Sequence, residues 1–122
     1  MHYKRIELKV TDQGIHERKI FQGVKIFSRS TLSKDQKSIL TQKIYLTPKQ
    51  NIVYYQRTDV NYDQNWQHNK DYYELAYDQL DREIVFKVCQ DFDELSPFLE
   101  NELLEKLKEK QLTGKFFEKL DI

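Results

Sequence analysis

The chain has 122 residues, enough to bury one core without disulfides or metal, and balances 20 Lys and Arg against 20 Asp and Glu. Its single cysteine, Cys89, excludes an internal disulfide, and the opening MHYKRIELKV has no apolar run long enough for a signal peptide or a membrane span. One cytoplasmic domain over residues 1–122 is expected: hydrophobic residues are only 39%, but eight Tyr, seven Phe and one Trp supply large surfaces to bury.

The first half reads as strands. From Lys4 to Val10, Ile6, Leu8 and Val10 alternate with Arg5, Glu7 and Lys9, the period of a strand buried on one face. Thr11, Asp12, Gln13 and Gly14 supply a turn. Arg18 to Ser28 forms a second strand, in which Gly23 predicts a bulge or bend. A polar loop, SRSTLSKDQK, leads to a third strand from Ser38 to Leu46, and the turn Thr47 to Asn51 returns the chain into a fourth, Ile52 to Thr58. The stretch DVNYDQNWQHNKD, residues 59 to 71, has no apolar periodicity and is expected to be a surface loop. Tyr72 to Asp78 and Glu83 to Cys89 resume alternation around a turn near Leu80 to Arg82, which favours a hairpin over a single helix.

After Cys89 the pattern becomes helical. Asp91 and Glu94 are spaced as a capping box, and Ser96 before Pro97 is a second start signal. Between Phe98 and Gln111, Leu99, Leu103, Leu104 and Leu107 fall three and four apart, so one stripe faces the sheet, and Gly114 is a fitting terminator. The expected architecture is α+β: an antiparallel β-meander of about six strands over residues 3–89, a C-terminal helix over 91–112 packed on one face, and a terminal motif at 115–122.

The chemistry is sparse. His2, His16 and His68 have no metal-ligand spacing, and Gly14, Gly23 and Gly114 make no phosphate-binding loop. Cys89 ends an apolar strand, the setting of an inert buried thiol. No catalytic residue, metal site or cofactor is therefore expected. Charge is divided along the chain: residues 1 to 57 hold twelve Lys and Arg against four acids, a net +8, which leaves −8 for the rest. Mutual attraction of a basic sheet and acidic later elements accounts for this, with a basic face for nucleic acid as the alternative. If the alternation holds, half of Tyr54, Tyr55, Tyr62, Tyr72, Tyr73 and Tyr77 face away from the helix beside Trp66. Aromatics with polar tips on an uncovered sheet face suit a partner, so Tyr54, Tyr62, Trp66 and Tyr72 are the candidate binding residues.

The chain ends on KFFEKLDI. Glu118, Lys119, Leu120, Asp121 and Ile122 resemble the C-terminal Glu-x-Leu-Asp-Ile that names the EXLDI family of small bacterial proteins. Tyr45, Leu46, Thr47, Pro48, Lys49 and Gln50 are similar to the family's Tyr-Arg-Thr-x-Lys-Gly hairpin, with Leu46 for the Arg and Gln50 for the Gly, and the likeness spans about the last two-thirds of the chain. The resemblance implies no assigned activity. Burial of Phe116, Phe117, Leu120 and Ile122 against the core would make the motif a latch; capture of Glu118, Leu120, Asp121 and Ile122 by a partner would make it a docking tag. The latch is expected, because little polar spacer separates the motif from Phe117. The sequence as a whole reads as a non-enzymatic binding or interaction module for a protein partner or a second copy of itself. A nucleic-acid-associated regulator, or a small-ligand binder or enzyme with a site in the sheet, are the alternatives. No membrane partner is expected.

Overall fold

A computed structural model describes residues 3–61, 84–117 and 120–121. Five strands, β1 (Lys4–Asp12), β2 (Ile15–Leu32), β3 (Ser38–Leu46), β4 (Ile52–Val60) and β5 (Val85–Cys89), pair antiparallel in sequence order. A 3-10 helix (Phe92–Leu95), the helix α1 (Asn101–Thr113) and a 3-10 turn (Lys115–Phe117) follow. The α+β class and antiparallel meander are as expected, with five strands among the described residues rather than about six. The expected strand Tyr72 to Asp78 and the turn Leu80 to Arg82 lie outside them. No helix among the described residues is long and apolar enough to cross a membrane.

β2 is the element that shapes the sheet. Its first half pairs with β1, from Asp12 opposite Ile15 to Lys4 opposite Gly23, and its second half pairs with β3, from Val24 opposite Leu46 to Leu32 opposite Ile39. The expected bulge is displaced: the ladder is irregular between Lys25 and Phe27, not at Gly23. Gly23 stands where the partner changes, and a Cβ there would lie 2.9 Å from the Phe21 ring and 3.2 Å from the Leu46 carbonyl oxygen. Close approach, rather than an unusual backbone angle, is what demands a glycine.

This change of partner folds the β1–β2 hairpin over the rest of the sheet. Leu8 and Val10 of β1 share a core with Tyr45 of β3 and Val53 and Tyr55 of β4, although β1 is not adjacent to either strand. On the opposite face Ile44, Leu46, Ile52 and Tyr54 pack with Phe92, Leu95, Leu99, Leu104 and Leu107. The sheet is therefore covered on both sides, by its own hairpin and by the C-terminal helices, which corrects the expectation of one open face. Each side chain buried this way contributes about 1.5–3 kcal/mol.

Asp91 caps the first 3-10 helix as expected, its side chain accepting from the Asp93 N–H, while Glu94 accepts from the backbone N–H groups of Gln90 and Asp91, which hold its carboxyl below its usual value. α1 starts at Asn101, three residues later than the leucine spacing indicated. The Phe98 carbonyl, which a continuous helix would use internally, instead accepts from Gln42 Nε2 at 3.1 Å, so the chain interrupts and restarts. Gly114, at φ 70, closes the helix as expected.

Candidate functional site

The β1–β2 turn has positive φ at both central residues, 52° at Gln13 and 81° at Gly14, a geometry whose twist suits a tight hairpin. This turn sets Thr11 opposite His16 and Lys9 opposite Arg18. Strand alternation sends Leu8 and Val10 into the core, leaving Lys9 and Thr11 on the other side with His16 and Arg18. Thr11 Oγ1 and His16 Nδ1 are 3.2 Å apart.

Two cations directly opposite across a ladder repel each other. Arg18 is partly relieved by Glu7 at 3.5 Å, a carboxylate also 3.3 Å from Arg5. Lys9 has no acidic partner among the described residues. The Tyr55 hydroxyl donates to the Lys9 carbonyl at 3.0 Å, bringing β1 over β4, where Arg57 lies two residues along on the same face as Tyr55. Burial opposes the Arg57 charge, but Asp59 at 2.7 Å and Tyr55 outweigh it and hold the guanidinium above its ordinary value.

A cleft of about 330 Å³ is lined by Lys9, Thr11, His16 and Arg18 from the outer side of the hairpin and by Val10, Glu17, Arg57 and Ile84 from the side that meets β4. Its own carboxylate, Glu17, is held by Lys19 at 2.7 Å. Cations beside apolar Val10 and Ile84 suit an anion, because apolar walls lower the local dielectric and strengthen each charge-assisted hydrogen bond. Among the described residues, no group of three His, Cys, Asp or Glu side chains is placed to hold a metal ion. Burial, first, and then the nearby Glu94 push the Cys89 thiol above its ordinary value, so it sits as an unreactive core residue.

The candidate residues fall elsewhere. Tyr54 is fully buried on the helix side, stacked on Phe98 at 5.0 Å, and cannot meet a partner as expected. Tyr62, Trp66 and Tyr72 lie outside the described residues, as do Glu118 and Ile122. Phe116 and Phe117 pack on the helix-side core, but Leu120 is 62% exposed and Asp121 is exposed. Of the four residues expected to form the latch, Phe116 and Phe117 pack on the core, Leu120 does not, and Ile122 lies outside the described residues. The expected attraction between basic and acidic halves appears as Arg29 with Glu100 at 2.8 Å; Glu7 and Glu17 are bound within the basic half. The cleft cations were missed as a group, although the turn alone determines that Lys9 and Arg18 face each other. Comparison with family models, curated proteins and solved structures finds no match.

Proposed function

We propose that the protein is a non-enzymatic binding module whose ligand is anionic and is held in the cleft between the β1–β2 hairpin and β4. The observation that carries this reading is Lys9 opposite Arg18, with Arg57 lining the same cleft beside apolar Val10 and Ile84. A fold gains nothing from two facing cations, so their presence is better accounted for by a bound anion than by stability. Of the aromatic group inferred from sequence, Tyr54 and Tyr55 are buried, and Tyr62, Trp66, Tyr72, Tyr73 and Tyr77 lie outside the described residues. Membership of the EXLDI family is part of the proposal and rests on the terminal residues and the Tyr45 to Gln50 stretch.

The test is a titration of amide NMR signals with inorganic phosphate on wild type and Lys9→Glu. Wild type is expected to show saturable shifts centred on Lys9, Thr11, His16, Arg18 and Arg57. Lys9→Glu is expected to lose them while melting at the same or a higher temperature, since it replaces a repulsion by an attraction. Absence of cleft shifts in wild type would refute the reading. Tighter, strongly salt-dependent binding of a single-stranded oligonucleotide would replace it by the nucleic-acid alternative.

A further inference from the structure

The cleft does not end at its cations. A second concavity of about 430 Å³ shares Val10, Thr11, Glu17 and Ile84 with it and runs on to Val85 and Phe86. The two form one continuous groove with unlike ends. At one end stand Lys9, Arg18 and Arg57; at the other the Phe86 ring, with Lys19 Nζ 5.7 Å from its centroid. Asp12 and Glu17 border the second end.

We infer that the ligand is a small phosphomonoester with an uncharged aromatic or aliphatic body: its phosphate at the Lys9, Arg18 and Arg57 end, its body along Val10 and Ile84 toward Phe86. This rests on the anion-binding reading above. Lys9, with no acidic partner among the described residues, joins Arg18 and Arg57, whose partners Glu7 and Asp59 each take only one guanidinium nitrogen. The remaining N–H donors suit the three oxygens of a phosphomonoester better than the two of a carboxylate. Ile84 and Phe86, partly buried beside Val10, offer apolar surface that a bare phosphate leaves uncovered, and covering it adds affinity. Asp12 sets the third requirement, since Glu17 at that end is already paired with Lys19 at 2.7 Å. A second anionic group on the body would meet the Asp12 carboxylate, so the groove selects against diphosphorylated or carboxylated bodies.

The experiment compares dissociation constants of inorganic phosphate, phenyl phosphate and 4-carboxyphenyl phosphate at fixed ionic strength, with amide shifts locating each. Phenyl phosphate is expected to bind at least about tenfold more tightly than inorganic phosphate, with added shifts at Ile84, Val85 and Phe86. The 4-carboxyphenyl ester is expected to lose that gain in wild type and regain it in Asp12→Asn. Equal affinities for phosphate and phenyl phosphate would overturn this inference while leaving the anion site standing. No binding of either would overturn both. A 4-carboxyphenyl ester bound as tightly as phenyl phosphate in wild type would remove the selection against a second charge, and with it the assigned body.

Discussion

Gln42 is 2% exposed and uses every hydrogen-bonding position of its amide. Oε1 accepts from Arg29 Nε at 3.0 Å and Nη2 at 2.8 Å, while Nε2 donates to the Tyr54 hydroxyl at 2.9 Å and the Phe98 carbonyl at 3.1 Å. The Tyr54 hydroxyl in turn donates to Gln56 Oε1 at 2.6 Å, and Arg29 Nη1 donates to Glu100. One side chain therefore joins β2, β3 and β4 to the segment entering α1. Tyr54→Phe removes a hydroxyl but keeps the ring on Phe98, and should cost about 1 kcal/mol. Gln42→Leu strands the Arg29 guanidinium and the Phe98 carbonyl together, and should cost about 3 kcal/mol in urea unfolding. If the leucine variant were no less stable than the phenylalanine variant, the amide would not be the junction. A pH dependence follows from the same tyrosines. Burial raises Tyr54 above its ordinary 10.0, against the opposing effects of Gln42 and Arg29, and burial, with help from Tyr55, raises Tyr45. The fold favours the neutral phenols, so their contribution is intact below pH 10.0 and is lost as pH rises through the raised folded values. Melting temperature should thus fall as pH rises above 10.0, and less steeply in a Tyr45→Phe/Tyr54→Phe protein.

At the scale of elements, β2 exchanges one partner for another at Gly23, and its close contacts make that position intolerant. Gly23→Ala presses a methyl against a Phe21 ring held edge-on to Tyr45 at 5.5 Å. The cost should be about 1–3 kcal/mol, read from thermal unfolding, with Tyr45 reporting the shift by NMR. A stability equal to wild type would mean that the ring yields freely. Strand positions were legible because alternation and turn chemistry are local: β3 begins at Ser38 and ends at Leu46 as the pattern indicates, and Asp91, Glu94 and Gly114 cap as their types require. Which faces are covered was harder to read. Ile52, Val53, Tyr54 and Tyr55 are all buried. An uninterrupted apolar run of this kind marks a strand covered on both sides, and that signal outweighs alternation within the tyrosine pair. The cleft was half legible. Lys9 opposite Arg18 follows from a two-residue turn, whereas Arg57 joins them only because the hairpin folds across β4, a contact between distant parts of the chain that no local pattern encodes.

For the molecule as a whole, the decisive feature is that the hairpin is tied to the sheet in two unlike ways. Continuity through β2 joins it covalently, and Leu8 and Val10 join it by packing on Tyr45, Val53 and Tyr55. Among the described residues no backbone ladder links β1 to β3, β4 or β5, so apart from the Tyr55 hydroxyl on the Lys9 carbonyl and Lys19 over the Phe86 ring the hairpin docks through apolar packing. Lifting the hairpin exposes one small core, whereas opening β3 from β4 breaks a full backbone ladder and the larger helix-side core. The hairpin should therefore open on its own, at a lower free energy than global unfolding. In native-state hydrogen exchange the ladder amides of β1 should exchange at least about tenfold faster than those of Ile44, Val53 and Tyr54. Leu8→Ala sharpens the test. It should widen that gap and weaken anion binding, because Lys9 and Arg18 reach Arg57 only when the hairpin is down. Uniform exchange from β1 to β5, in wild type and Leu8→Ala alike, would instead make the hairpin and sheet one cooperative unit and leave the cleft a fixed feature of the fold.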